Sequence, residues 1–150
     1  MTQAAVEFDT REWDRFLKGV SKNYARARDI LKETAKIFAF QDIFDHFRKE
    51  EGPDGAWAEW ADSTKVRYAF LGLSGNKKLQ NTGNMRQATS PALMRNEGAD
   101  AVAVINNAPY ANRHDQGFGR TPARPFMWLS ESAHEKMAKA MLQMLLEERM

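Results

Sequence analysis

Between Thr10 and about Arg48 the apolar positions recur at spacings of three and four residues. Trp13, Phe16, Leu17, Val20, Tyr24, Ala27, Leu31, Thr34, Ala35 and Phe38 form one stripe, and Ile30, Ile37 and Phe44 continue it at sevens. That is the period of a helix with one face turned to a core. So long a run exceeds the usual globular helix. A break is predicted near Ser21–Asn23, because Ser and Asn side chains compete for backbone hydrogen bonds. The second helix, about 24–48, is then the long one. Upstream, AVEFD at 5–9 reads as a short strand, and Asp9 with Glu12 as a capping box.

The pattern then changes. Gly52, Pro53, Asp54 and Gly55 are turn residues. Residues 61–72 suit a short helix with Ser63 as its cap, and LGLSGNKKLQNTGN is loop-like. NMRQATSPAL (84–93) reads as a strand leading through MRNEGAD into a second strand, AVAVIN (101–106), which makes a hairpin. Pro91 places the first strand at an edge, or marks its end or a bulge. NAPYANRHDQGFGRTPA (107–123) reads as a long exposed loop, and loops of that length in compact domains are usually functional or disordered. PFMWL suits a last strand. Ser132 with Glu135 forms a second capping box, followed by an apolar stripe of Ala133, Met137, Ala140, Met141, Met144 and Leu145.

The order of helices, strands and a final helix predicts an α+β fold: long N-terminal helices and a C-terminal helix packed on a small antiparallel β-sheet. One domain is expected over 1–150, with a helical part at about 10–72, a sheet part at about 84–129 and the last helix at about 131–148. At 150 residues the chain can bury roughly 70% of its unfolded surface, so a core without staples is feasible.

Composition narrows the function more than the fold. There is no cysteine, which excludes disulfides and thiolate metal sites and fits the cytosol. No signal peptide is recognisable at the start, and no window approaches the roughly 18 apolar residues of a membrane span. A net charge of +2 is too mild to argue for nucleic acid by itself. The basic patches at Lys22, Arg26 and Arg28 and at Lys77–Lys78 lack interleaved aromatics, so no sequence-specific nucleic-acid recognition is expected, although phosphate contact stays open.

Candidate chemistry is sparse. His46 and Asp42 are four apart on a helix and could face one metal ion, but nothing completes the set, and a solvated face is expected. His114–Asp115 could be a base with its orienter, yet no nucleophile elbow accompanies it. His134 is expected to be exposed. The glycines of LSGNKK and GFGRTP lack the strand-to-helix context of a phosphate loop. Trp57 and Trp60 are expected to anchor the core. No catalytic, cofactor or metal site is predicted.

Four stretches, in order, carry a resemblance: GPDGAWAEWADSTKVRY, LQNTGNMRQATS, AVAVINNAPYANRHDQG and RTPARPFMWLS. Together they resemble the phage virion morphogenesis family, the tail-completion or head–tail joining proteins of tailed bacteriophages. The matching positions are Pro53, Asp54, Gly55, Trp57, Thr64, Lys65, Leu79, Thr82, Gly83, Tyr110, Ala111, His114, Gly117, Pro122, Ala123, Arg124, Pro125 and Phe126. Met85 stands where the family usually has Leu, and Gln87-Ala88-Thr89 replaces a Ser-Ile type strand. The resemblance implies a virion protein without an active site, assembled in the bacterial host cytoplasm and placed at the neck or tail end. Its partners would be other neck, tail or connector proteins. It implies a homo-oligomeric ring, sixfold by tail symmetry, with a monomer in solution equally compatible. An active phage and a prophage are both compatible as source.

A ring subunit needs a rigid body and an arm that meets its neighbour. Residues 107–125 suit the arm, with Pro122 and Pro125 stiffening its end. Tyr110, Arg113, His114, Gly117, Arg120 and Arg124 are the candidate subunit or neck contacts, the arginines because a guanidinium pairs bidentately with carboxylates. Trp57, Gly83, Phe126 and Trp128 are the candidate structural anchors. The alternatives are a tail-tube terminator, a small nucleic-acid-binding module, and an enzyme using His114 and Asp115.

Overall fold

The computed structural model describes Lys18, Lys22 and residues 26–97 and 101–147. The strand expected at 5–9 and the Asp9–Glu12 capping box lie outside the described residues, as do Ser21 and Asn23 of the expected break, while Lys22 between them is helical. Helix α1 spans Ala27–Lys49, where the second helix was expected. Its buried face runs through Ile30, Thr34, Ala35, Ala39, Phe40, Ile43, His46 and Phe47. Ile37 and Phe44, expected on the same stripe, are exposed. Ile37 lies two residues from both Ala35 and Ala39, about 200° around the helix, so it points away from the core. Phe44 sits at the margin, its ring tilted against that of Phe40.

The end of α1 is built by distant residues. Glu50 adopts a left-handed conformation (φ 58°, ψ 43°) and donates its N–H to the His46 carbonyl. For a residue other than glycine this costs roughly 1–2 kcal/mol. The Glu50 carboxylate is held in return by the Lys78 backbone N–H and by Lys78 Nζ. The last carbonyls of α1, otherwise orphaned, accept from the loop at 76–81: Phe47 O from Gln80 Nε2 (2.5 Å) and Arg48 O from Lys77 Nζ (2.6 Å). Lys77 and Lys78, expected as a free basic patch, are thus committed to a helix cap and a buried ion pair.

Strand β1 (Glu51–Gly52) pairs antiparallel with β2 (Gly55–Ala56) across the predicted Pro53–Asp54 turn. Helix α2 follows at Asp62–Phe70. Ser63 lies inside it rather than capping it, and Ala61 occupies the cap position without a side-chain bond. The expected strand at 84–93 is not formed. Gly83 (φ 75°) starts a helical turn, α3 (Asn84–Gln87), and Pro91 starts a 3-10 turn, Pro91–Leu93. Met, Arg and Gln favour helix, and Met85 alone of α3 is buried, so no alternating face exists to support a strand.

A hairpin forms, but its first strand lies in the stretch expected as the turn: β3 is Arg95–Glu97 and β4 is Ala101–Ala103. From the expected first strand Thr89 bridges to Asn106, and Ala88 O accepts from the Asn107 N–H. Asn106 Nδ2 donates to Met85 O (2.6 Å) and Thr89 Oγ1 (2.7 Å), which ties this bridge to α3.

The expected loop at 107–123 contains helix α4, Ala111–Gln116. PFMWL belongs to no strand and bends at Met127. Its backbone finds a side chain instead: the N–H groups of Phe126 and Met127 both donate to Asp115 Oδ1, at 2.9 and 3.0 Å. Helix α5 spans Glu131–Glu147. Its first-turn cap is Ser130, not Ser132, because Ser130 Oγ accepts from the Ala133 N–H at 3.2 Å. Ser130 is itself fixed by Asp42, to which its N–H and Oγ–H donate at 2.7 Å each.

The result is an α+β architecture in which α5 packs along α1 and two short antiparallel hairpins stand in place of a single sheet. One core cluster joins Ile43, Phe47, Trp57, Met85, Ala111 and Phe126; a second joins Ala35, Ala39, Phe40, Met94 and Met137. Helix α1 contributes to both. Among the described residues no helix is long and apolar enough to cross a membrane.

Candidate functional site

His46 occupies the junction of α1 and α5, and the expectation of a solvated face there is wrong. Its side chain is buried and its ring stacks on the Trp128 indole, centroids 4.0 Å apart at 9°. Its Nε2 lies 3.2 Å from the Trp128 carbonyl oxygen and 3.4 Å from Asp42 Oδ2. Asp42 is occupied with capping α5, so this pair is a structural joint. Among the described residues no group of three or more His, Asp or Glu is placed to hold a metal ion.

The arm residues fold back onto the body. Trp57, buried, donates Nε1–H to the Pro125 carbonyl at 2.7 Å. Phe126 is fully buried and tilted against Phe47. Arg124, expected to reach a partner, is turned inward and is 6% exposed. Its Nε–H and Nη2–H donate to the carbonyls of Ala58 (2.9 Å) and Glu59 (3.0 Å), and its backbone N–H to His114 O (2.8 Å). Once Pro125 and Phe126 are fixed by Trp57 and Asp115, the preceding side chain lies against the 58–59 backbone. Gly117 closes α4 at φ 78°, and a Cβ there would stand 2.8 Å from Ala123 N, so only glycine lets the chain cross itself.

This fold-back creates a pocket of about 390 Å³ between α2, the turn at 79–82 and the arm. Trp60 and Tyr68, packed edge to face at 4.8 Å, line one side. Leu79, Met85 and Tyr110 add apolar surface. Thr64, Asn81, Thr82 and Thr121 supply hydroxyl and amide groups, and His114, Arg120 and Arg124 supply the ionisable ones. Burial pushes the His114 imidazole below its ordinary pKa, and the Arg124 and Arg113 charges add to this. Burial likewise lowers Arg124, against the pull of Glu59 and Glu50. Those two carboxylates bind Lys78, Glu59 at 2.9 Å and Glu50 at 3.3 Å. The hydrogen bond that Lys78 donates to Glu59 is the main cause that raises Lys78 above its ordinary value, and the same bond lowers Glu59.

Of the six expected contact residues, Tyr110, His114, Arg120 and Arg124 share this pocket. Arg113 does not; its guanidinium lies over the Phe118 ring, 5.4 Å from the centroid. Gly117 shapes the crossing. Asp115 does not orient His114, since its carboxylate is bound to the Phe126 and Met127 N–H groups. His134 is exposed, as expected. Among the anchors, Trp57 and Phe126 are in the core, Gly83 starts α3, and Trp128 is half-buried on His46.

The reading of the sequence missed Trp60, Thr64 and Tyr68 as one wall. Thr64 and Tyr68 are four apart on α2, and Trp60 stands four residues ahead of Thr64, just before the helix; that spacing was the available signal. No family model, curated protein or solved structure matches the chain.

Proposed function

We propose that the chain is a structural protein of the neck or tail end of a tailed phage, completing the tail and joining it to the head as one subunit of a ring. The reading begins from the resemblance of four ordered stretches to the virion morphogenesis family. One observation carries it further: those four stretches interlock. Trp57 is bonded to Pro125, Arg124 to Ala58 and Glu59, and His114 to Arg124, while Leu79 and Met85 pack in the cluster that holds Trp57 and Phe126. Residues that resemble a family motif by motif thus support one another physically.

The contact surface differs from the one read in the sequence. Arg124, His114 and Gly117 hold the arm's shape. The partner-facing groups are Tyr110, Arg113, Phe118 and Arg120 on the arm, together with Val66, Phe70 and Leu71 on the outer side of α2 and just after it. Phe70 is 91% exposed. An exposed apolar group of this kind suits a heterologous contact between ring subunits. The ring would sit in the virion, sixfold by the tail symmetry of the family.

The test is negative-stain microscopy of a lysate from a phage with this gene disrupted. Full heads beside unjoined tails are expected. Overlong tails would favour a tube terminator, and normal infectious virions would overturn the reading.

A further inference from the structure

The pocket under α2 carries a charge that its own walls leave uncompensated. No Asp or Glu is among its lining residues, whereas Arg120, Arg124 and His114 are. Arg124 is buried, and its Nε–H and Nη2–H bonds end on carbonyl oxygens. Carbonyl dipoles satisfy its donors without neutralising its charge, and a buried cation is costly unless a counter-charge is near. Glu50 and Glu59 attract it from outside the pocket wall, where both also bind Lys78. His114 Nδ1 is buried with no hydrogen-bond partner. Arg120 stands exposed beside them and makes no ion pair among the described residues. The remaining wall is flat and aromatic, with Trp60 and Tyr68 on one side and Tyr110 on another.

We propose that this pocket is a binding site for a carboxylate carried on an aromatic or apolar stem. The stem lies against the Trp60–Tyr68 wall, where apolar area leaves water. The carboxylate meets the positive end of the pocket. Arg124, fixed by the backbone of 58–59, supplies a standing positive potential. Arg120 supplies a movable guanidinium whose fork suits two carboxylate oxygens. His114 lines the pocket with them. A convergent set of polar groups in an otherwise apolar cleft is the usual form of a ligand site. Two sources share this chemistry: an acidic segment of a neighbouring protein and a free organic acid. The inference goes beyond the assembly reading and does not rest on it. Head–tail joining would survive an empty pocket, and a filled pocket would survive normal virions.

The experiment follows the indole N–H signal of Trp60 by NMR in the full chain, assigned with Trp60→Phe. The probes are N-acetylphenylalaninate, its neutral amide, acetate, and a blocked tetrapeptide with a Phe–Glu core. Saturable shifts with a Kd of about 1 mM or tighter are expected for at least one of the two aromatic carboxylates. The amide and acetate should bind at least about tenfold more weakly, a difference of about 1.4 kcal/mol. Tighter binding of the tetrapeptide assigns the site to a protein segment, and tighter binding of the free acid assigns it to a small molecule. Arg124 also pins 58–59, so its removal endangers the fold; Arg120→Met, at an exposed position, decides instead and should weaken binding about tenfold. The proposal is overturned by no saturation at about 20 mM of either carboxylate, by equal binding of the amide or acetate, or by unchanged affinity in Arg120→Met.

Discussion

Asp115 is the residue whose removal tests the fold-back most directly. Its Oδ1 accepts the N–H groups of Phe126 (2.9 Å) and Met127 (3.0 Å), the two residues by which the arm enters the core. Asp115→Ala leaves both donors without that acceptor in a part-buried place. A hydrogen bond to a charged group contributes about 1.5–3 kcal/mol, and the two share one oxygen, so the loss should be about 3 kcal/mol. For a domain of this size that lowers Tm by roughly 6–12 °C. Asp115→Asn keeps a carbonyl oxygen in place and loses only the charge, so about 1 kcal/mol is expected. Urea titration followed by far-UV circular dichroism measures both, with an unchanged m-value showing that only stability moved. Asp115→Ala within about 0.5 kcal/mol of the wild type would refute the claim that this carboxylate substitutes for a neighbouring strand.

Three further outcomes follow from the same geometry. Trp57→Phe removes the 2.7 Å bond to Pro125 O and should cost about 1–3 kcal/mol in the same urea assay; a neutral result would mean that the bond contributes nothing net. Gly117→Ala forces a side chain into φ 78° and against Ala123 N, so a loss of at least about 2 kcal/mol, read as a lowered Tm, is expected. His114 has a folded-state pKa below the usual imidazole value of 6.5, so the unfolded chain takes up the proton first as pH falls. The stability this group contributes is present above that value and is lost as pH drops through the folded one. His114→Gln should therefore flatten the fall in stability on the acid side, and an unchanged pH profile would count against burial as the cause.

Periodicity and turn chemistry were enough for the parts of the fold that depend on neighbours in the chain. The long helix at 27–49 announces itself by its three-and-four spacing, the Pro53–Asp54 turn by its residue types, and α5 by its methionine and alanine stripe. The β3–β4 hairpin was legible as a hairpin but not in its first strand: the left-handed Gly83 and the burial of Met85 shape 84–87 into a helical turn, and Pro91 with the Ser90 cap starts a 3-10 turn at 91–93. The caps were misplaced for a similar reason. Ser132 and Ser130 are equivalent as letters, and the choice between them is made by Asp42, which is remote in sequence.

What the sequence determined by itself was the α+β class, the long helix, the turns and four of the residues that line the site, Tyr110, His114, Arg120 and Arg124. What only the tertiary structure decided was the direction those residues face. Arg124 reads as a reaching side chain in a proline-stiffened loop, and His46 as a solvated one on a helix, yet both are buried. Local pattern records which side of one element is apolar, whereas the burial of a charged or polar group depends on acceptors brought from far along the chain: Ala58 and Glu59 for Arg124, Trp128 for His46. Those partners exist only once the arm has folded back, so no window of sequence contains the information that places the pocket.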